Sequence, residues 1–333
     1  MPADDGGRFL IRSYQDGDET AILDLFARSF HTHRSLEHWR WKFIDDPFGA
    51  KRISIALDSD GKLVGHYGAY PVLFSLDGES IAAHQIGDTM TDPAIRHIGR
   101  GPTSILGRTA LHFYAQFCEG RVGFNYGFNV ANIQRFSLRF LRSDRMEPVA
   151  YRVRDLRTKP LRKPSRLERL ARGYRFELIR DAGADWDELF ERISPHYGFL
   201  VRRDARYVTW RYLRCPGVEY AVVAIRRWGR LAGWIVARVR ENRLTVGDAL
   251  IDPSHIAGFA LAVRHLANVF PVERVDGWFP SRPAWLAPAL EAIFDSAPEP
   301  QDLSVMCVPF TLEDATERMR QSLYYTMGDS DLF

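Results

Sequence analysis

Ile86-Gly87-Asp88-Thr89-Met90-Thr91-Asp92-Pro93-Ala94-Ile95-Arg96-His97-Ile98-Gly99-Arg100-Gly101-Pro102-Thr103 is the stretch on which the reading of this chain turns. Residues 80–90 alternate and carry β-branched and small side chains, as a strand does, and residues 103–117 carry apolar residues at helical spacing. Between them lies a turn with glycines at 99 and 101 that opens straight into the helix. Such a turn presents successive backbone N–H groups at a helix N-terminus, where the donors and the helix dipole both favour an anion. Glycine lets the main chain come close to that anion, and Arg96 adds a fixed cation beside it. The chemistry this fits best is a pyrophosphate.

Working outward, the chain repeats itself. Trp41-Lys-Phe-Ile-Asp-Asp-Pro47 is matched by Trp210-Arg-Tyr-Leu-Arg-Cys-Pro216, Gly61-Lys-Leu-Val-Gly65 by Gly229-Arg-Leu-Ala-Gly233, and Ile86-Gly-Asp-Thr-Met-Thr-Asp-Pro93 by Val246-Gly-Asp-Ala-Leu-Ile-Asp-Pro253. The matches come in the same order at nearly constant offset, which is the signature of a duplication. In each copy a short strand, two helices and three strands are followed by a helix, a strand and a helix. The expected elements of the first copy are strands at 9–13, 52–58, 63–73, 80–90 and 122–126, with helices at 18–30, 36–43, 103–117 and 132–141. The second copy is expected to place strands at 175–179, 220–226, 231–238, 244–251, 274–279 and 303–308, with helices at 186–193, 204–213, 256–269 and 284–294. Asp18 and Ser35 are the expected N-caps of the first two helices. Helices mixed with meandering strands imply an α+β fold, two mixed sheets flanked by helices. The expected domains are 1–150, a linker at 151–174, and 175–333. Trp39, Trp41 and Phe43 lie within one short helix and read as core.

The motif resembles motif A of the GNAT superfamily of acyl-CoA N-acyltransferases, Gln/Arg-x-x-Gly-x-Gly/Ala after a strand, filled here by Arg96, Gly99 and Gly101. Ile11-Arg-Ser-Tyr-Gln-Asp-Gly-Asp18 is similar to the family's opening, and Phe124-Asn-Tyr-Gly-Phe-Asn-Val-Ala-Asn132 to its fifth strand and exit. The closing Leu-Gly-Phe of the family is eroded to Phe140-Leu141-Arg142. The resemblance covers residues 8–150 as a full domain and 174–310 as a repeat. It implies an enzyme that takes an acyl group from acetyl-CoA or a longer acyl-CoA and gives it to a primary amine. Fourth and fifth strands would splay, main chain near Met90 and Thr91 would hold the pantetheine and polarise the acyl carbonyl, and Asn132 would touch the pantetheine arm. Backbone groups of His97, Ile98, Gly99, Arg100 and Gly101, with Thr103, would hold the pyrophosphate. Pro102 has no N–H, so one customary donor is missing. The second copy reads Ser254-His-Ile-Ala-Gly258 at the matching place and lacks the motif, so CoA is expected only in the first half.

Transfer needs a base for the ammonium of the acceptor and an acid for the leaving thiolate. His84 and Asp88, four apart on one strand and so expected on one face, are the candidates for the base. Asp88 recurs as Asp248 in the copy without the motif, which speaks for a structural role. Family members use a Tyr acid in the helix after Asn132. Phe136 stands near that place here, and Tyr126 is the substitute. His66, Tyr67 and Tyr70 are candidates for the acceptor pocket wall.

The acceptor stays open between a small polar amine such as an amino-sugar and a lipid or sphingoid amine, as in the bacterial GNAT-type ceramide synthases. The rival readings are a CoA-binding scaffold without turnover and an aminoacyl-tRNA-dependent peptidyl transferase. The intact Arg96, Gly99, Gly101 run argues against the second.

Residues 152–174 hold nine cations, Arg152, Arg154, Arg157, Lys159, Arg162, Lys163, Arg166, Arg169 and Arg172, against Asp155 and Glu168. Read as a solvated connector, this segment needs no partner. Read with Leu161, Leu167 and Leu170, segment 152–172 is a dock for an anionic membrane face. No aromatic platform accompanies the charge, so no nucleic acid is expected. The net charge of +3, with 46% hydrophobic and 26% charged residues, is ordinary for a globular chain. Cys118, Cys215 and Cys307 match no metal spacing and read as reduced, buried thiols. Met1–Gly7 carries no signal-peptide pattern, and the expected location is the cytoplasm, at most peripheral at the inner membrane face.

Overall fold

Local signals place most elements where they form. The structure, a computed structural model, describes residues 9–333, so the reading of Met1–Gly7 lies outside the described residues. The chain begins with β1 (Leu10–Ser13), α1 (Glu19–Phe30), α2 (Leu36–Phe43), β2 (Ile53–Leu57), β3 (Leu63–Leu76), β4 (Glu79–Thr91), α3 (Ile105–Phe113), β5 (Phe124–Asn129), α4 (Ala131–Phe140) and β6 (Asp144–Pro148). It continues with β7 (Tyr151–Asp155), α5 (Arg166–Ala171), β8 (Tyr174–Leu178), α6 (Ala184–Ile193), β9 (Phe199–Val201), α7 (Ala205–Val208), β10 (Ala221–Arg227), β11 (Arg230–Arg240) and β12 (Arg243–Ile251). It ends with α8 (Ile256–Val269), β13 (Arg274–Trp278), α9 (Ala287–Ile293), β14 (Asp295–Ser296), β15 (Ser304–Pro309), α10 (Ala315–Ser322) and β16 (Leu323–Tyr324). The expected strands and helices of both copies are all present, most with ends displaced by one to three residues.

Two units form, and they are not the two continuous halves. One holds residues 1–73, 81–147 and 304–317; the other holds 74–80, 148–303 and 318–333. The first sheet runs β1-β2-β3-β4-β5-β15-β6, with β15 antiparallel to β5 from Ser304↔Asn129 to Pro309↔Phe124. The second runs β14-β7-β13-β12-β11-β10-β8, with β7 antiparallel to β13 from Arg274↔Asp155 to Trp278↔Tyr151. Thus β15, from the end of the second copy, completes the first sheet, and β7, directly after the first copy, completes the second. This corrects the linker reading. Residues 151–155 alternate Tyr, Arg, Val, Arg, Asp, and a strand with one apolar row pairs with whatever edge is presented to it.

The basic segment is correspondingly less free than its composition suggested. Arg152 is buried and bonds the Phe279 carbonyl at 2.7 Å. Arg157 pairs with Asp155 at 2.9 Å and Lys159 with Asp295 at 2.9 Å. Among the described residues no helix is long and apolar enough to cross a membrane.

In the first unit the helices cover both faces of the sheet. α1 and α2 bury Ile22, Leu25, Phe26, Trp39 and Phe43 against Ile53, Ile55, Leu63 and Met90. α3 buries Ala110 and Phe113 against Tyr67, Ala69 and Val308 on the opposite face. Ser35 caps α2 as expected, accepting from the His38 amide at 3.1 Å. Asp18 does not cap α1. Its carboxylate is taken by Arg12 at 2.7 and 2.8 Å and by the Gln15 amide at 2.8 Å, which fixes β1 to the entry of α1. The turn Asp58–Gly61 joins β2 to β3, with Gly61 at φ 77°.

Candidate active site

β4 and β5 are the elements on which the site rests. They pair in parallel at Ala83↔Phe124, His84↔Asn125 and Gln85↔Tyr126. β4 runs on to Thr91 and β5 to Asn129, and among the described residues the two do not pair beyond Gln85 and Tyr126, so the strands splay. At Asp88 the backbone takes φ 50°, a left-handed conformation that inserts a bulge into β4. The bulge breaks the alternation of side chains, and this corrects the expectation that His84 and Asp88 share a face. His84 lies on the α3 side, with its ring 5.7 Å from Phe113 and Nδ1 3.6 Å from the Cys118 sulfur. Asp88 lies on the α2 side, bound to Arg34 and, at 3.2 Å, to Lys42.

Each of these groups is shaped by burial. Burial opposes the charge on Asp88, yet Arg34 and Lys42 beside it hold the carboxyl well below the ordinary range. His66 is wholly buried and donates from Nδ1 to the Asp88 carbonyl at 2.7 Å. Burial pushes it down to about 4, so the ring is neutral near pH 7, and its Nε2 has no partner among the described residues. His84 is pushed down to about 4 by burial and by the charge of Arg52. The Cys118 thiol next to it is pushed up to about 12, chiefly by burial. Gln85, also wholly buried, has both amide atoms unpartnered among the described residues.

A cavity fills the splay, with about 440 Å³ of atom-free space in part open to solvent. Thr89, Tyr126 and Asn129 line it beside an apolar wall that includes Ile86, Leu106 and Met306. The hydroxyls of Tyr67 and Tyr114 meet at 3.3 Å in the same wall. Burial raises both phenols above their ordinary range, so both keep their protons. Of the expected site residues, Tyr126 lines this cavity and His84 does not. Met90 turns its side chain into the α1–α2 core, which leaves only its main chain to serve the splay. Asn132 is exposed, its Oδ1 accepting from Arg135 at 2.5 Å, and Asn129 stands at the cavity in its stead. Tyr114 and Gln85 escape a reading of the sequence. Tyr114 sits in a π-helical turn that continues α3, and only the fold turns it inward.

Beyond β4, Asp92 anchors the chain, pairing with Arg28 at 3.2 Å and Lys62 at 3.1 Å. The loop then passes exposed Arg96, His97 and Arg100. Gly99 has φ 73° and Gly101 φ 54°. A Cβ on Gly99 would sit 2.6 Å from the Thr103 carbonyl, and one on Gly101 would sit 2.7 Å from the Phe140 ring. Among the described residues, neither glycine amide donates to a backbone carbonyl. Thr103 turns inward to the loop, donating to the Arg100 carbonyl at 3.0 Å. Ser104 caps α3, accepting from the Gly107 amide at 3.1 Å. The loop therefore offers free donors, exposed cations and a helix N-terminus at the mouth of the splay, an arrangement that suits a diphosphate.

The matching place in the second unit is closed. The turn Pro253–His255 runs directly into α8, and a Cβ on Gly258 would meet the Tyr174 ring at 2.8 Å. β12 and β13 also separate beyond Thr245 and Asp276, but Phe279, packed 5.8 Å from both Phe259 and Phe294, occupies that region.

The splayed strands and the glycine loop lie in a segment that matches a known domain family. Residues 10–137 match the family model described as an acetyltransferase (GNAT) domain. That match ends at residue 137, and the two mixed sheets flanked by helices have the GNAT-like fold. Its fold is shared with a protein of Enterococcus faecalis described as a probable N-acyltransferase, at TM-score 0.67 and 13% identity over 92% of this chain and 74% of that one. It is shared also with a GCN5-related N-acetyltransferase from Kribbella flavida, at TM-score 0.66 and 14% identity over 92% of this chain and 73% of that one. N-myristoyltransferase of Saccharomyces cerevisiae, solved with bound myristoyl-CoA, gives TM-score 0.58 and 11% identity over 91% of this chain and 79% of that one. No curated protein sequence matches the chain.

Proposed function

We propose that this chain moves an acyl group from acyl-CoA to a primary amine, with the CoA on the first unit alone. The observation that carries the reading is the Gly99–Gly101 turn, whose free amides open onto α3 directly beyond the β4–β5 splay. The diphosphate would rest on the amides of His97, Gly99 and Gly101, with Arg96 and Arg100 beside it, because the Ile98 amide is taken by the Ile95 carbonyl at 3.0 Å, the Arg100 amide by Thr103 Oγ1 at 3.4 Å, and both Thr103 donors by the Arg100 carbonyl. The pantetheine would enter between β4 and β5 along Thr89, Thr91 and Asn129. The main chain at Met90 would receive the acyl carbonyl, as an oxyanion site must, through an N–H that the bulge at Asp88 redirects.

In the reaction the neutral amine attacks the thioester carbon, the C–N bond forms, the C–S bond breaks, and the thiolate takes a proton. Asp88 is bound to two cations and serves to hold the bulge. His66 is neutral at pH 7, but wholly buried and pushed down to about 4 it is too weak a base for the ammonium, whose proton would leave to solvent. Tyr126, or the Tyr67–Tyr114 pair, supplies the proton to sulfur.

The apolar wall of the cavity favours an acyl group longer than acetyl and a lipid or sphingoid amine as acceptor. Transfer of acetyl to a small polar amine is the second reading, favoured by the narrowness of the splay at Gln85 and Tyr126. The test is product mass spectrometry after incubation with acetyl-CoA and with myristoyl-CoA against sphinganine and glucosamine. An amide product with either amine supports transfer and selects the reading. Thioester binding with no amide from either amine would leave a CoA-binding scaffold.

A further inference from the structure

The second unit has lost the CoA turn, yet it keeps a cavity of its own, with about 790 Å³ of atom-free space in part open to solvent. Its wall carries three arginines, Arg238 and Arg240 on β11 and Arg243 on β12. Arg238 and Arg240 stand two apart on one strand and so share a face, and Arg240 lies directly opposite Arg243 in the ladder. Like charges so placed repel one another and weaken the pair.

Both acidic side chains in the wall are already committed, and the Phe333 main-chain oxygen accepts from Tyr220 at 2.8 Å and Arg211 at 3.4 Å. Asp276 is buried and accepts from Thr245 Oγ1 at 2.7 Å and Tyr151 OH at 2.9 Å, and it pairs with Arg243 at 3.4 Å. Glu299 accepts from the amides of Gln301 at 2.8 Å and Leu303 at 3.0 Å. Among the described residues Arg238 and Arg240 have no ion pair, and Arg238 rests only over the Tyr220 ring, 5.9 Å from its centroid. Burial and the neighbouring charge of Arg240 lower the pKa of Arg238, and Tyr220 and Cys215 offset only part of that cost. The rest of the wall is apolar or aromatic, with Trp278, Met327 and Phe333.

We propose that this cavity is a binding site for a small phosphomonoester, its phosphate held by Arg238 and Arg240 and its apolar body against Trp278 and Phe333. The guanidinium forks match phosphate oxygens, and the cavity is larger than a bare phosphate would need. Thr245 and Tyr151, by engaging Asp276, keep its charge turned from the anion. The site stands independently of the transferase reading, because none of its residues belongs to the first unit.

The test is calorimetric titration of the full chain with phenyl phosphate, and with benzyl alcohol as the uncharged control. The expected result is saturable binding of phenyl phosphate, no binding of benzyl alcohol, and affinity at least about tenfold weaker in Arg238→Gln and in Arg240→Gln. Arg240 is exposed, so Arg240→Gln keeps the wild-type unfolding midpoint and carries the test if Arg238→Gln fails to fold. Equal affinity in wild type and Arg240→Gln, equal binding of benzyl alcohol, or no saturable binding of phenyl phosphate by the wild type would overturn the proposal.

Discussion

Arg203 and Asp248 form an ion pair that is wholly out of contact with solvent, Nε to Oδ1 at 3.0 Å. The first unit repeats it with Arg34 and Asp88, each Arg standing just before the short second helix of its copy and each Asp following the glycine of the Gly-Asp pair on the fourth strand. The duplicated ion pair persists in the unit whose CoA turn is lost, so its service is to the bulge and the strand rather than to phosphate binding. Asp248 also receives Tyr212 at 2.6 Å and Thr326 at 2.9 Å. Arg203 keeps a second buried carboxylate, Asp329 at 2.5 Å, so Asp248→Asn should destabilise the chain by ~1–3 kcal/mol, the loss typical of buried donors left without an acceptor. Urea unfolding checks it, and a loss under about 1 kcal/mol would contradict the role assigned here.

The two buried histidines predict an acid sensitivity. His66 and His84 are both pushed down to about 4, against about 6.5 in an unfolded chain. A depressed histidine favours the fold while it stays neutral, so its contribution is whole above pH ~6.5 and is lost as pH falls towards 4. Each contributes at most ~3 kcal/mol across that window. Unfolding free energy measured at pH 7.5 and at pH 5 should fall at the lower pH, with net proton uptake on unfolding, and His84→Gln should flatten the slope. Asp329, raised to about 6 by burial, works the other way in this window, so the test is the slope: a slope that His84→Gln leaves unchanged would show that the His84 ring is not held neutral.

His66 and His84 separate in function. His66→Ala should lower kcat at unchanged affinity for acyl-CoA, by roughly tenfold, because it removes the Nδ1 bond that fixes the Asp88 carbonyl on β4. His84→Ala should open a cavity against Phe113 and Cys118 and lower the unfolding midpoint while the surviving folded enzyme keeps its turnover. Steady-state kinetics with thermal unfolding of both variants reads this directly, and a His84→Ala enzyme that folds normally but turns over slowly would reverse the assignment.

Gly101→Ala tests the loop. With φ at 54° and the Phe140 ring at 2.7 Å from the added carbon, the substitution strains the backbone and pushes that ring aside. It should cost ~1–2 kcal/mol of stability and weaken CoA binding together. Calorimetry on folded protein checks both, and wild-type affinity would mean the turn does not touch the phosphates.

Much of this was legible in the sequence. Ser35 announces α2, Asp58–Gly61 announces a hairpin, and the Gly99–Gly101 turn stands between a strand and a helix, because caps, turns and periodicity are local. The exchange of β7 and β15 was not legible, since Tyr151–Asp155 and Ser304–Pro309 read as strands without saying which sheet receives them. Nor was the bulge at Asp88. A non-glycine residue at positive φ is held there by Arg34 and Lys42, which lie more than forty residues away in sequence. Without the bulge, period-two reasoning put His84 and Asp88 together. Tyr114 and Gln85 carry no local mark at all, because burial without a partner is visible only once the sheet is closed.

The most direct test of the central claim is the affinity of the wild type and of Gly99→Trp for acetyl-CoA and myristoyl-CoA, measured by calorimetry on protein shown to be folded. The account predicts saturable binding of at least one thioester by the wild type and none by Gly99→Trp, whose side chain would fill the space at the Thr103 carbonyl and Ser104. Equal binding by the two proteins, or no thioester bound by the wild type, would contradict the placement of CoA on this loop.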